Sequence, residues 1–180
     1  MTSIRFSIRA LLVLTASVAV LLAIGLWLTK DYRERRALER RWRLQGAVYA
    51  SVDENHLSSV VFTQPLSSGD LKDLTSIHKV EFKGFSVDAA TLQKLSAVER
   101  IDSLMFQSCS PPDSATLAEL QNLPLKALHF WSTPITDQAV DELSALTRVE
   151  SMTFVNTQLT PHGISRLKAA NPDLRVHSRP

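Results

Sequence analysis

Leu125–Leu146 reads LKALHFWSTPITDQAVDELSAL, and Val149–Leu167 reads VESMTFVNTQLTPHGISRL. Aligned on Phe130 and Phe154, the two stretches share one pattern. An aliphatic residue stands two places before each Phe, Leu128 in one and Met152 in the other. Alternation around such a pair predicts a short strand with one buried face. At offsets of 10, 13 and 16 from Phe130 come Val140, Leu143 and Leu146, and from Phe154 come Ile164, Leu167 and Ala170. That spacing predicts a short helix after each strand.

The pattern extends toward the amino terminus. Phe62, Phe82, Phe106, Phe130 and Phe154 are spaced 20, 24, 24 and 24 residues apart, and Val60, Val80 and Leu104 precede the first three. Leu92, Leu95 and Val98 keep the offsets of the later units, while Leu117, Leu120 and Leu123 fall one residue later. The first unit is shortened, with Leu71, Leu74 and Ile77 at 9, 12 and 15. One unit has too little apolar surface for a core. Stacked units bury strands beside strands and helices beside helices, which predicts an α/β fold with a parallel sheet. About five units exceed the usual minimum of about three. Residues 47–56, including Val48 and Val52, are expected to cap the first unit. Leu174 and Val176 are expected in a short final strand after Asn171-Pro172.

Both opening stretches resemble the bacterial leucine-rich repeat pattern L-x-x-L-x-L-x-x-T-x-I-T-x-x-G-L-x-x-L. The resemblance covers about residues 57–176, with Phe in place of the third leucine throughout. Unit three departs from it at Ser110-Pro111-Pro112, and unit one lacks the T-x-I-T segment. The resemblance implies a curved leucine-rich repeat solenoid, its parallel sheet on the concave face, used for protein–protein contact. It implies no catalytic residues.

In such a solenoid the residues flanking each Phe point outward from the sheet. One column is then Val61, Glu81, Met105, His129 and Thr153, and a second is Thr63, Lys83, Gln107, Trp131 and Val155. A third, Ser59, Lys79, Ser103, Ala127 and Ser151, is mostly small and would let a partner approach closely. Strands about 4.8 Å apart place Met105 beside His129 and Trp131 beside Val155. These four make a candidate apolar–aromatic binding patch, and tryptophan is enriched among interface hot spots. Glu81 and Lys83 would give the other end a charged character. The competing reading is that Trp131 merely covers its neighbours. Thr133 and Thr157, with Cys109 in the equivalent slot, are expected to bond or pack in the turn after the strand.

Outside the repeats, Ala10–Thr29 is twenty residues without a charge, ALLVLTASVAVLLAIGLWLT, eleven of them Leu, Ile or Val. As a helix it would span about 30 Å, the thickness of a bilayer's hydrocarbon core. A buried core helix is seldom apolar on every face. Ser17-Val18-Ala19 has the spacing of a signal-peptide cleavage site, but nine further apolar residues follow it, and cleavage sites end the apolar run. The expected organisation is therefore a short flank over 1–9, a single transmembrane helix over 10–29, a basic juxtamembrane helix over 30–46 and the repeat domain with caps over 47–180. The chain is thus similar to short membrane-anchored bacterial leucine-rich repeat proteins. Thr15, Ala19 and Ala23 form a small-residue face suited to helix pairing.

Residues 1–43 carry nine Lys/Arg against three Asp/Glu, a net of +6, whereas residues 44–180 carry a net of −4. This asymmetry indicates a basic appendage on a mildly acidic domain and argues against nucleic-acid binding. The excess of cations after the span favours a cytoplasmic repeat domain, although long domains also translocate despite charge. Arg33, Arg35, Arg36, Arg40, Arg41 and Arg43 could meet anionic lipid headgroups, or simply solvate a helix that Gly46 ends.

No enzyme is expected. The sequence lacks G-x-S-x-G, G-x-x-x-x-G-K-[ST], H-E-x-x-H and G-x-G-x-x-G, and its five histidines have no ligand-like spacing. The single cysteine excludes a disulfide framework and a thiolate zinc site. No cofactor or metal is implied. The reading that follows is a membrane-tethered protein-interaction module; the alternative is a structural envelope component without a regulated ligand.

Overall fold

Seven strands pair in sequence order in the computed structural model, which describes residues 30, 33, 36, 37, 40, 47–53, 56–66 and 76–180. They are β1 (Ala47–Asp53), β2 (His56–Phe62), β3 (Ser76–Lys83), β4 (Arg100–Gln107), β5 (Leu125–Trp131), β6 (Ser151–Val155) and β7 (Arg175–Arg179). β1 and β2 are antiparallel, and every later pairing is parallel. The segment expected to cap the first unit is thus a strand that covers one edge of a six-stranded parallel sheet. The expected final strand is β7, with Val176 opposite Met152.

The register is the one the phenylalanines demand. Phe62, Phe82, Phe106, Phe130 and Phe154 are aligned across adjacent strands and fully buried. Their rings form a continuous row with centroids 5.9, 5.7, 5.2 and 5.7 Å apart, the last two pairs stacked within 15°. Burying each ring contributes about 1.5–3 kcal/mol, and ring pairing adds about 0.5–1.5 kcal/mol per contact. Val60, Val80, Leu104, Leu128 and Met152 form a second buried row, and Ile77, Ile101 and Leu125 a third. Ile77 therefore belongs to a strand and not to the helical stripe of the first unit. Leu71 and Leu74 lie outside the described residues.

Helices α1 (Ala89–Leu95), α2 (Ser114–Glu119), α3 (Val140–Ser144) and α4 (Pro161–Ala170) follow β3, β4, β5 and β6. Each packs onto the core through the predicted stripe: Leu92 and Leu95, Leu117, Val140 and Leu143, and Leu167 are buried. The helices are shorter than the spacing suggests. Val98, Leu123 and Leu146 are buried beyond the helix ends, and Ala170 is exposed. Asp88, Asp113 and Thr160 accept hydrogen bonds from the backbone N–H groups of Thr91, Thr116 and Gly163 at 2.8, 2.8 and 3.2 Å. These are N-caps, which supply acceptors that the first turn of a helix otherwise lacks. In unit three the cap falls one residue later than in units two and five, matching the one-residue shift of its apolar stripe.

The chain divides into two compact units, Met1–Ala37 and Leu38–Pro180. Of the first, Lys30, Arg33, Arg36 and Ala37 are described; all are helical and exposed, as is Arg40 of the second. Among the described residues no helix is long and apolar enough to cross a membrane. The predicted span 10–29, its pairing face, and Arg35, Arg41 and Arg43 lie outside the described residues.

Candidate protein-binding face

Helices α1 to α4 lie on one face of the sheet, and none of these four covers the opposite face. Parallel sheets are ordinarily covered on both sides, so the composition of this face matters. The register aligns Val61, Glu81, Met105, His129, Thr153 and His177 in one row. Lys83, Gln107, Trp131, Val155 and Arg179 form the next. Thr63 does not join this second row, because β2 ends at Phe62. Met105 does pair with His129, and Trp131 with Val155.

The four apolar candidates are not equally available. Met105, His129 and Val155 are partly covered, while Trp131 keeps 48% of its surface exposed. Trp131 is the one large apolar side chain left exposed among the described residues. It lines a cleft of about 570 Å³ with Thr153, Val155, His177 and Arg179. Burial, and secondarily the positive charge of Lys79, hold the His129 imidazole below its usual 6.5. It is therefore neutral at physiological pH.

Glu81 departs from the expected charged end. It is buried and pairs with Lys79 at 2.9 Å, so its charge is satisfied within the sheet. Lys83 is exposed, as expected. Two consecutive residues separate the first and second inward positions of each strand, which adds an outward row of His78, Asp102 and Lys126, with Glu150 just ahead of β6. Asp102 accepts from Arg100 Nε at 2.8 Å and lies 2.6 Å from His78 Nδ1. The Arg100 guanidinium, and then His78, hold its carboxyl below the usual range. Glu150 lies 3.6 Å from Arg175. This row and the β7 residues Arg175, His177 and Arg179 were not among the sequence candidates. The alternation through Leu174 and Val176 was the signal that could have placed the β7 side chains on the open face.

In the turns after β4 and β5, Cys109 and Thr133 are buried and bonded as expected, whereas Thr157 is partly covered. Thr133 Oγ1 accepts from the Cys109 N–H at 3.2 Å and donates to the Phe106 carbonyl at 3.2 Å. The Cys109 thiol donates to the Phe82 carbonyl at 3.3 Å. Burial raises the thiol's pKa, which suits packing and not nucleophilic chemistry. No group of three His, Cys, Asp or Glu is arranged to hold a metal among the described residues. No protein-family model matches the chain, and no curated protein and no solved structure matches it significantly.

Proposed function

We propose that this chain is a membrane-anchored leucine-rich repeat protein whose concave sheet face holds a protein partner. The anchor is the uncharged segment 10–29, and the repeat domain faces the cytoplasm. The strand order, the 24-residue register and the row of phenylalanines support the repeat assignment. Tethering would raise the domain's local concentration near membrane-bound partners. The observation that carries the binding role is Trp131, an indole left half exposed at the carboxy-terminal end of β5, in the middle of its row across the strands, where the other apolar residues are partly covered.

Quantitative co-purification from detergent-solubilised native membranes tests this. Trp131→Glu is the variant of choice, because its exposed side chain contributes little to folding. Met105→Glu would place a second carboxylate directly opposite Glu81. Loss of a specific partner from Trp131→Glu, with circular dichroism unchanged, is the expected result. A partner set identical to wild type removes the binding role from this face.

A further inference from the structure

The open face is electrically unlike the domain that carries it. From β3 to β7 its carboxylates are Glu81, Asp102 and Glu150, and each has a cationic partner: Lys79, Arg100 and Arg175. Lys83, Lys126 and Arg179 have no ion-pair partner among the described residues, and all three are exposed. The face is thus net positive, on a stretch, residues 44–180, whose net charge is −4. Two of the three unpaired cations stand at the ends of the Trp131 row, in the order Lys83, Gln107, Trp131, Val155, Arg179.

From this we infer the chemistry of the partner: an extended acidic peptide segment that crosses the strands along this row, with a carboxylate at each cation and an apolar side chain on Trp131 and Val155. The inference rests on the binding role proposed above. Lys83 and Arg179 are four strands apart, about 19 Å at the usual strand spacing. An extended chain advances about 3.3 Å per residue and turns alternate side chains to one face. Acidic residues six positions apart therefore reach both cations from one side, and the intervening side chains on that side fall over Gln107, Trp131 and Val155. A second copy of the sheet face would bring like charges together. Nucleic acid carries a phosphate about every 3.4 Å along each strand, whereas this row offers cations only at its two ends, with Gln107, Trp131 and Val155 between them.

The probe is a capped, fluorescently labelled heptapeptide, Glu-Thr-Leu-Thr-Leu-Thr-Glu, titrated by anisotropy against the full chain in neutral detergent. Its counterpart is Lys-Thr-Leu-Thr-Leu-Thr-Lys. The acidic peptide should bind at least tenfold more tightly, and the double variant Lys83→Glu with Arg179→Glu should invert that order. Both cations are exposed and unpaired, so charge reversal there leaves the fold intact. Equal affinities, an order unchanged in the double variant, or no saturable binding of the acidic peptide overturns the inference. Binding of a twelve-residue oligothymidylate that the double variant loses also overturns it, in favour of nucleic acid. If Trp131→Glu still loses its native partner while the peptides show no charge preference, the acidic segment is wrong and the binding role stands. A partner retained by Trp131→Glu removes the role itself.

Discussion

Gly84, Ser108, Ser132 and Asn156 each stand one place after a strand, with φ of 77, 51, 50 and 51°. In that left-handed turn each N–H reaches the last carbonyl of the next strand: Gln107, Trp131, Val155 and Arg179, at 2.8 to 3.0 Å. A side chain there strains the backbone by roughly 1–2 kcal/mol, which glycine avoids. Ser108→Gly should therefore raise stability by a few tenths to about 1 kcal/mol, part of the gain being offset by glycine's larger entropy in the unfolded chain. Nothing lies within 4 Å of a Cβ placed on Gly84, so Gly84→Ala should lower stability by about 1 kcal/mol through the backbone alone. Urea denaturation midpoints of the two variants, moving in opposite directions, check both. His129 gives a pH dependence of defined sign. Its folded pKa lies below 6.5, so as pH falls below 6.5 the unfolded chain takes up the proton first and stability declines until the folded pKa is passed. The melting temperature of His129→Gln should fall less than wild type between pH 6.5 and 5; parallel curves would show that the half-buried imidazole is not the cause. The inward residues were legible in the sequence because burial imposes a period. Glu81 was misjudged because only the three-dimensional register reveals that Lys79 folds across it.

Each helix here is too short to be stable alone, so its start must be fixed by a cap and its face by the core. Asp88→Ala should destabilise by up to about 1 kcal/mol, the usual cost of losing an N-cap acceptor, and Asp113→Ala should lower the urea midpoint in the same direction. The last helix adds a link between units. Asp137 accepts from the Thr160 N–H at 2.9 Å and from the Thr160 hydroxyl at 2.6 Å, while Thr160 caps Gly163. A Cβ at Gly163 would overlap the Asp137 carboxylate and the Leu159 side chain. Because two hydrogen bonds hold that carboxylate, Gly163→Ala should cost about 1–3 kcal/mol, and Asp137→Ala with Gly163→Ala should cost less than the sum of the two single changes. Thermal melts of the three variants decide this; strict additivity would mean that the carboxylate is free to move aside. The sequence spacing located these helices but overran their carboxy-terminal ends. Val98, Leu123 and Leu146 complete an apparent helical stripe, yet they pack in the turns that lead into the next strand. An apolar residue three places on satisfies the core whether the backbone is helical or not, so periodicity alone could not place the boundary.

The regular register of β2 to β7 raises a question at the scale of the whole sheet that no single substitution can test: whether its strand–helix units are interchangeable along one axis. Stability of such an array is approximately a sum of unit terms and nearest-neighbour interfaces. Deleting Ser132–Val155, which is 24 residues, joins Trp131 to Asn156, and both lie at matching points of consecutive units. β5 would then lie beside β7, with Phe130 still against Phe106 and Asn156 taking over the left-handed turn of Ser132. Six strands should remain in register and unfold in one cooperative transition. The urea midpoint should be lower, and the slope smaller in proportion to the surface lost. Deleting Ser144–Val155, half that length, removes β6 but leaves α3 with no matching return to the sheet, and should give no cooperative transition. Circular dichroism during urea titration separates the cases. If the 24-residue deletion unfolds as non-cooperatively as the shorter one, the strands are not equivalent units, however regular their sequence spacing. The same pair of proteins connects architecture to the proposed site. The longer deletion keeps Trp131 but replaces Val155 with Arg179 at its side, bringing Arg179 to three strands from Lys83. The acidic heptapeptide, whose carboxylates are spaced for four strands, should then bind more weakly than a pentapeptide, Glu-Thr-Leu-Thr-Glu, reversing their order on the intact chain.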